Sequence, residues 1–157
     1  MAVLREPSPW TIPLADGPVA PWVDRTLAAG VGIAASVAFG ALARIQPDPR
    51  GYGSHEQLGM DACSWPVVYG IPCPTCGCTT AACLLVHGRI VEAFATQPFG
   101  AAVAAFGTLV GVHAVLCLLR GRSFADLIVR WPFWRFVGGG FLLLLLAWAY
   151  TWLTWPR

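Results

Sequence analysis

The sequence predicts an all-α integral membrane protein: three transmembrane helices plus an external cysteine-rich loop leading into a short interfacial or re-entrant helix. Three observations carry this. Of 157 residues, 57% are hydrophobic and only 11% charged, against about 25% charged in soluble domains, and the mean hydropathy is +0.63. Three uncharged runs, at 26–43, 98–119 and 136–156, are 18, 22 and 21 residues long, and a spanning helix needs about 20. Five of the six cysteines fall between positions 63 and 83, outside all three runs. A net charge of +2, with ten basic residues that are all arginine, builds no field for neutralising phosphates. Nucleic acid is therefore excluded as a partner, and the lipid bilayer takes its place.

Residues 1–25 form a Pro-rich segment with five prolines. It lacks a short basic region, so the first run reads as a retained span although Ala41-Leu42-Ala43 resembles a signal-peptidase site. Residues 26–157 make up one membrane domain. Gly32, Ser36 and Gly40 recur every four residues in the first run, as Gly107 and Gly111 do in the second. Small residues at this spacing let backbones approach in lipid, within the chain or against a larger membrane-protein complex. His113, at membrane depth, reads as a neutral imidazole hydrogen-bonded to a neighbouring helix. Trp131, Phe133 and Trp134 at one end of the third run, and Trp148, Tyr150, Trp152 and Trp155 at the other, read as interfacial belts.

Orientation follows from arginine, because short basic loops stay in the cytoplasm. Arg120, Arg122, Arg130 and Arg135 crowd the connection between the second and third runs. With that connection inside, Arg5, Arg25 and the N-terminus are cytoplasmic. The segment 46–97, with Arg44, Arg50 and Arg89 in or beside it, and the C-terminal Arg157 are external.

The external segment opens on Gln46-Pro47-Asp48-Pro49-Arg50-Gly51-Tyr52-Gly53-Ser54, which breaks helix and sheet alike. From Thr79 to Phe94 the chain has helical character, yet the run is too short, and with Arg89 and Glu92 too charged, to cross. It is expected at the interface or as a half-helix. Cys63, Cys73, Cys76, Cys78 and Cys83 lie in this segment and Cys117 lies apart. Five is an odd number, so at least one cysteine stays free, binds metal or pairs with another chain.

Three chemistries fit these cysteines. A structural disulfide would join Cys73 to Cys76, or Cys63 to one of them, the usual fate of nearby thiols outside the cytoplasm. A zinc site would take Cys73 and Cys76 as two of four tetrahedral ligands, completed by Cys63 and one of Cys78 or His55; Cys83 and His87, four apart, could share an ion. A redox pair of Cys73 and Cys76 would place Pro74 in the first turn of a helix capped by Cys73, with Cys76 against unpaired amides that favour a thiolate. That order resembles the Cys-Pro-x-Cys dithiols of glutaredoxins. With no carboxylate pair, Ser/His/Asp set or Gly-rich phosphate loop, the expected role is a non-catalytic accessory or scaffold subunit. Membrane thiol-disulfide oxidoreductase and zinc-binding membrane protein are the alternatives.

Cys63, then Gly70-Ile71-Pro72-Cys73-Pro74-Thr75-Cys76-Gly77-Cys78-Thr79, then Leu84-Leu85-Val86-His87-Gly88-Arg89, Glu92-Ala93 and Gln97-Pro98-Phe99 resemble the small bacterial membrane proteins of family DUF2752, over about residues 60–118. The resemblance implies a bacterial inner (cytoplasmic) membrane protein and carries no assigned activity. Thr80 stands where the family has Arg, so no ion pair is carried over to that position. Gln97 stands where it has Asn, and Thr96 is placed to cap the helix opening at Pro98.

Overall fold

The computed structural model describes residues 19–125 and 132–155. The leader up to residue 18 with Arg5, together with Arg130, Trp131, Pro156, Arg157 and the side chain of Phe133, lies outside the described residues. The described helices are α1 (Pro21–Arg44), α2 (Ser64–Tyr69), α3 (Cys78–Val86), α4 (Ile90–Thr96), α5 (Pro98–Arg120) and α6 (Phe133–Thr154), with a 3-10 turn at Ser54–Leu58. No strand occurs among the described residues. Three helices, α1, α5 and α6, are long and apolar enough to cross a membrane, and only 11–17% of their most apolar stretches is buried within the chain. So much outward-facing apolar surface makes this a membrane protein.

The helix ends correct the expected spans. α1 starts at Pro21, not at 26, because proline is preset for a first turn and Asp24 in that turn suits the positive helix end. Asp24 is 8% exposed and fully engaged. Its Oδ1 accepts from Ser123 Oγ at 3.1 Å and Ala125 N at 2.6 Å, and its Oδ2 from Phe124 N at 3.2 Å. α5 runs to Arg120 and stops at Gly121, whose φ is 63°. Its cap is Gln97 itself, not Thr96: Gln97 Oε1 accepts from Gly100 N at 2.9 Å. α6 occupies 133–154 rather than 136–156.

Close approach between spans depends on fewer small residues than the spacing suggested. A β-carbon at Gly111 would overlap Ala35 of α1, and one at Gly32 would come within 3.2 Å of Val115 Cγ2. Gly40 and Gly107 have nothing within 4 Å of such an atom. Ser36 is exposed, its hydroxyl turned back to Gly32 O at 2.8 Å. His113 also differs from expectation. Its Nε2 lies 3.4 Å from Cys117 Sγ, one turn along the same helix, and its ring is 6.0 Å from that of Phe124.

Residues 45–97 fold into a cap over one end of the spans. The expected continuous run 79–94 is two helices. Gly88 adopts φ 78°, Arg89 N reaches Leu84 O at 2.9 Å and Gly88 N reaches Leu85 O at 3.0 Å, the glycine-dependent Schellman ending. α4 then folds back so that Ala81, Leu84, Ala93 and Ala101 form one buried cluster.

The cap is tied to every span. Cys83 Sγ donates to Ile45 O and Leu42 O (3.3 and 3.5 Å) at the end of α1. Gln97 Nε2 donates to Pro74 O at 3.4 Å, and Gly100 of α5 lies so close to Cys78 that an added β-carbon would sit 2.5 Å from Cys78 Cα. From α6, Trp148 Nε1 donates to Pro72 O at 3.1 Å, Tyr150 Oη to Ala95 O at 2.7 Å, and the Trp155 ring lies 4.6 Å from that of Tyr52. Trp148 and Tyr150 therefore hold the cap as well as standing at a span end.

Candidate functional site: a three-cysteine cluster in the cap

The cluster is built by two short turns. After Ile71 the chain bends through Cys73–Gly77, with Cys76 N bonded to Cys73 O at 3.0 Å and Cys78 N to Thr75 O at 3.1 Å. Gly77 ends the bend as the residue preceding α3, its φ is 85°, and a β-carbon there would sit 2.9 Å from Gly51 O. Both conformation and space demand glycine. This bend, not a helix start, carries the Cys-x-x-Cys, so the expected cap by Cys73 and the helical position of Cys76 are corrected: α3 begins two residues beyond Cys76. Cys63, the residue preceding α2, comes in from the other side. The sulfurs of Cys63, Cys73 and Cys76 all lie within 4.8 Å of one another.

The loop ahead of the cluster is seated by polar contacts. Asp48 accepts from Arg50 N (2.8 Å), Nε (3.0 Å) and Nη2 (2.8 Å), and Arg50 Nη2 also reaches Glu56 Oε2 at 3.1 Å. The Arg50 side chain holds the Asp48 carboxyl below the ordinary carboxylate range. Ser54 Oγ accepts from Asp48 N at 2.9 Å and shares a 2.8 Å bond with Thr80 Oγ1, with both residues buried. Beside these groups, Cys63, Cys73 and Cys76 line a cavity of about 360 Å³, with Arg50, Glu56, His55, Met60 and Thr75 also on its wall.

The thiols are unlike one another. Burial raises the Cys73 thiol, but hydrogen bonds from the Thr75 side chain and backbone and from Cys63 and Cys76 outweigh it, leaving Cys73 below the ordinary value. Cys76 is 5% exposed, and burial, with the neighbouring Cys73 charge, pushes it up to about 12. Cys78 is pushed up to about 11, by burial and then by Cys73.

The remaining predicted residues stand apart. Cys78 opens α3 against Gly100 and does not join the three sulfurs. His55 lines the cavity while its Nε2 rests 3.1 Å from Asp61 O. Cys83 and His87 do meet, at 3.7 Å, but Cys83 is wholly buried under α1, and His87 Nδ1 lies 2.8 Å from Cys83 O. Cys117 lies near the far end of α5. Sequence reasoning passed over Arg50 and Glu56; their signal was the opposite-charge spacing Asp48, Arg50, Glu56 inside an otherwise neutral stretch.

The family described as protein of unknown function (DUF2752) matches residues 63–111, spanning the cluster, α3, α4 and α5 as far as Gly111, as the cysteine block's resemblance implied. No curated protein and no solved structure matches the chain.

Proposed function

We propose that this chain is a bacterial inner-membrane protein with a cytoplasmic N-terminus and an external cap. In this reading it is a non-catalytic accessory or scaffold subunit whose Cys63, Cys73 and Cys76 hold one thiophilic metal ion of the zinc class. The convergence of three sulfurs within 4.8 Å carries the reading. Tetrahedral zinc with Zn–S near 2.3 Å sets its sulfurs about 3.8 Å apart. The cluster reaches that spacing by closing at most about 1 Å. A disulfide would use two of the three and leave the third thiol without a role.

The test is metal per chain on detergent-purified full-length protein, beside intact mass with and without reductant. The reading expects one ion per chain, lost in Cys63→Ser and Cys73→Ser and kept in Cys78→Ser. A metal-free chain lighter by two hydrogens before reduction would favour the structural disulfide.

A second reading, thiol-disulfide exchange, is favoured by the half-buried Cys73 and the buried Cys76 having their sulfurs within 4.8 Å of each other. Cys73 thiolate would attack a substrate disulfide and release one substrate thiolate; Cys76, giving up its proton, would then displace the other. Mixed disulfides trapped by Cys76→Ser, with an unshifted melting temperature, would select it.

A further inference from the structure

We infer that the ion held by Cys63, Cys73 and Cys76 keeps a fourth coordination position facing the cavity, open to an exchangeable neutral nitrogen donor of the imidazole class. The inference rests on the metal reading above and deepens it. Among the described residues, no fourth cysteine, histidine or carboxylate ligand atom joins the three sulfurs in the group whose members all lie within 4.8 Å of one another. A structural zinc site closes with four protein ligands, whereas three leave a position for an outside ligand. Here the same three cysteines line the 360 Å³ cavity, so the open side has room for a small ring.

The cavity's own donors are directed elsewhere. His55 Nε2 is against Asp61 O, and Glu56 Oε2 accepts from Arg50. Charge selects the class of incoming ligand. Three thiolates around a divalent ion leave a net negative centre, and the guanidinium on the cavity wall is already taken by Asp48 and Glu56. An anion would meet the repulsion of that centre, with the one arginine on the cavity wall among the described residues already paired; a neutral donor does not meet it. In the exchange one metal–oxygen bond to water breaks and one metal–nitrogen bond forms, with no electron or net proton transferred.

The experiment loads the detergent-purified full chain with Co²⁺ and follows its absorption during titration with free imidazole, and separately with a terminally blocked pentapeptide holding one histidine. The expected result is a thiolate-to-cobalt charge-transfer band that persists, while the visible ligand-field bands shift saturably, equally in wild type and His55→Ala. Saturation at lower peptide than imidazole concentration assigns the donor to a partner chain's histidine; the reverse order assigns it to a free small molecule. A charge-transfer band with ligand-field bands that neither ligand moves would overturn the inference and leave the metal reading standing. Absence of the charge-transfer band would overturn the metal reading itself.

Discussion

Replacing Gly100 by Ala should push α3 of the cap away from α5. The new β-carbon would stand 2.5 Å from Cys78 Cα and 2.9 Å from Cys78 Cβ and O. Carbon pairs settle at about 3.5–4.0 Å, so α3 and α5 must separate by about 1–1.5 Å, and no side-chain rotation relieves a clash with backbone. Overpacking of this kind costs about 1–3 kcal/mol. Displacing Gly100 also strains the bond from its N–H to Gln97 Oε1, and a helix cap contributes about 1 kcal/mol. Against this, Ala gains at most about 1 kcal/mol over Gly in a helix, leaving a net loss of about 1–3 kcal/mol. Thermal unfolding in detergent measures it, with Gly107→Ala as the internal control, since nothing lies within 4 Å of a β-carbon there. Gly107→Ala should melt at or slightly above the wild-type temperature, and Gly100→Ala clearly below. Equal melting of the two variants would refute the close approach of α3 to α5.

Two further outcomes follow from other contacts. Trp148→Phe keeps a ring near Trp65 but removes the donor to Pro72 O, a bond contributing about 0.5–1.5 kcal/mol; thiol reagents should label Cys76 faster while helix content stays constant, and unchanged labelling would show that the Trp148–Pro72 bond does not hold the cap. Arg50 depresses the Asp48 pKa below its ordinary 3.8, so the stability this pair adds is complete above the unfolded value and is lost as pH falls through the folded one. Backbone exchange in residues 48–56 should therefore rise below about pH 4 beyond its intrinsic trend, and Asp48→Asn should abolish that excess; an identical acid response in the variant would remove Asp48 as its source.

The spans were legible because length without charge is a one-dimensional property: an uncharged run of some twenty residues has few places to go besides lipid. The meeting of Cys63, Cys73 and Cys76 was legible for a related reason, since prolines and Gly77 force tight turns between residues close in sequence. Contacts across the bundle were not. That Gly100 and Gly111, rather than Gly107, bear the close approaches depends on which face of α5 meets α1 and α3, and periodicity along one helix does not choose between its faces. Cys83 looked like a ligand because His87 stands four residues on, yet its position within α3 turns it to the carbonyls ending α1. The break at Gly88 was visible as a glycine, but a glycine inside a helical pattern is tolerated often enough that only the folding back of α4 decides it.

Asp24 also bears on the order in which the chain matures. Its donors, Ser123 and the amides of Phe124 and Ala125, come 99, 100 and 101 residues later. At a synthesis rate of about 5–20 residues per second, the carboxylate waits some 5–20 s for them. A charge without partners stays in water rather than enter an apolar layer, so the leading end of α1 remains at the membrane surface through that interval. The hydrogen bonds of Asp24 are complete only once the chain just past α5 has been made, so this end of α1 waits on residues beyond the next long helix.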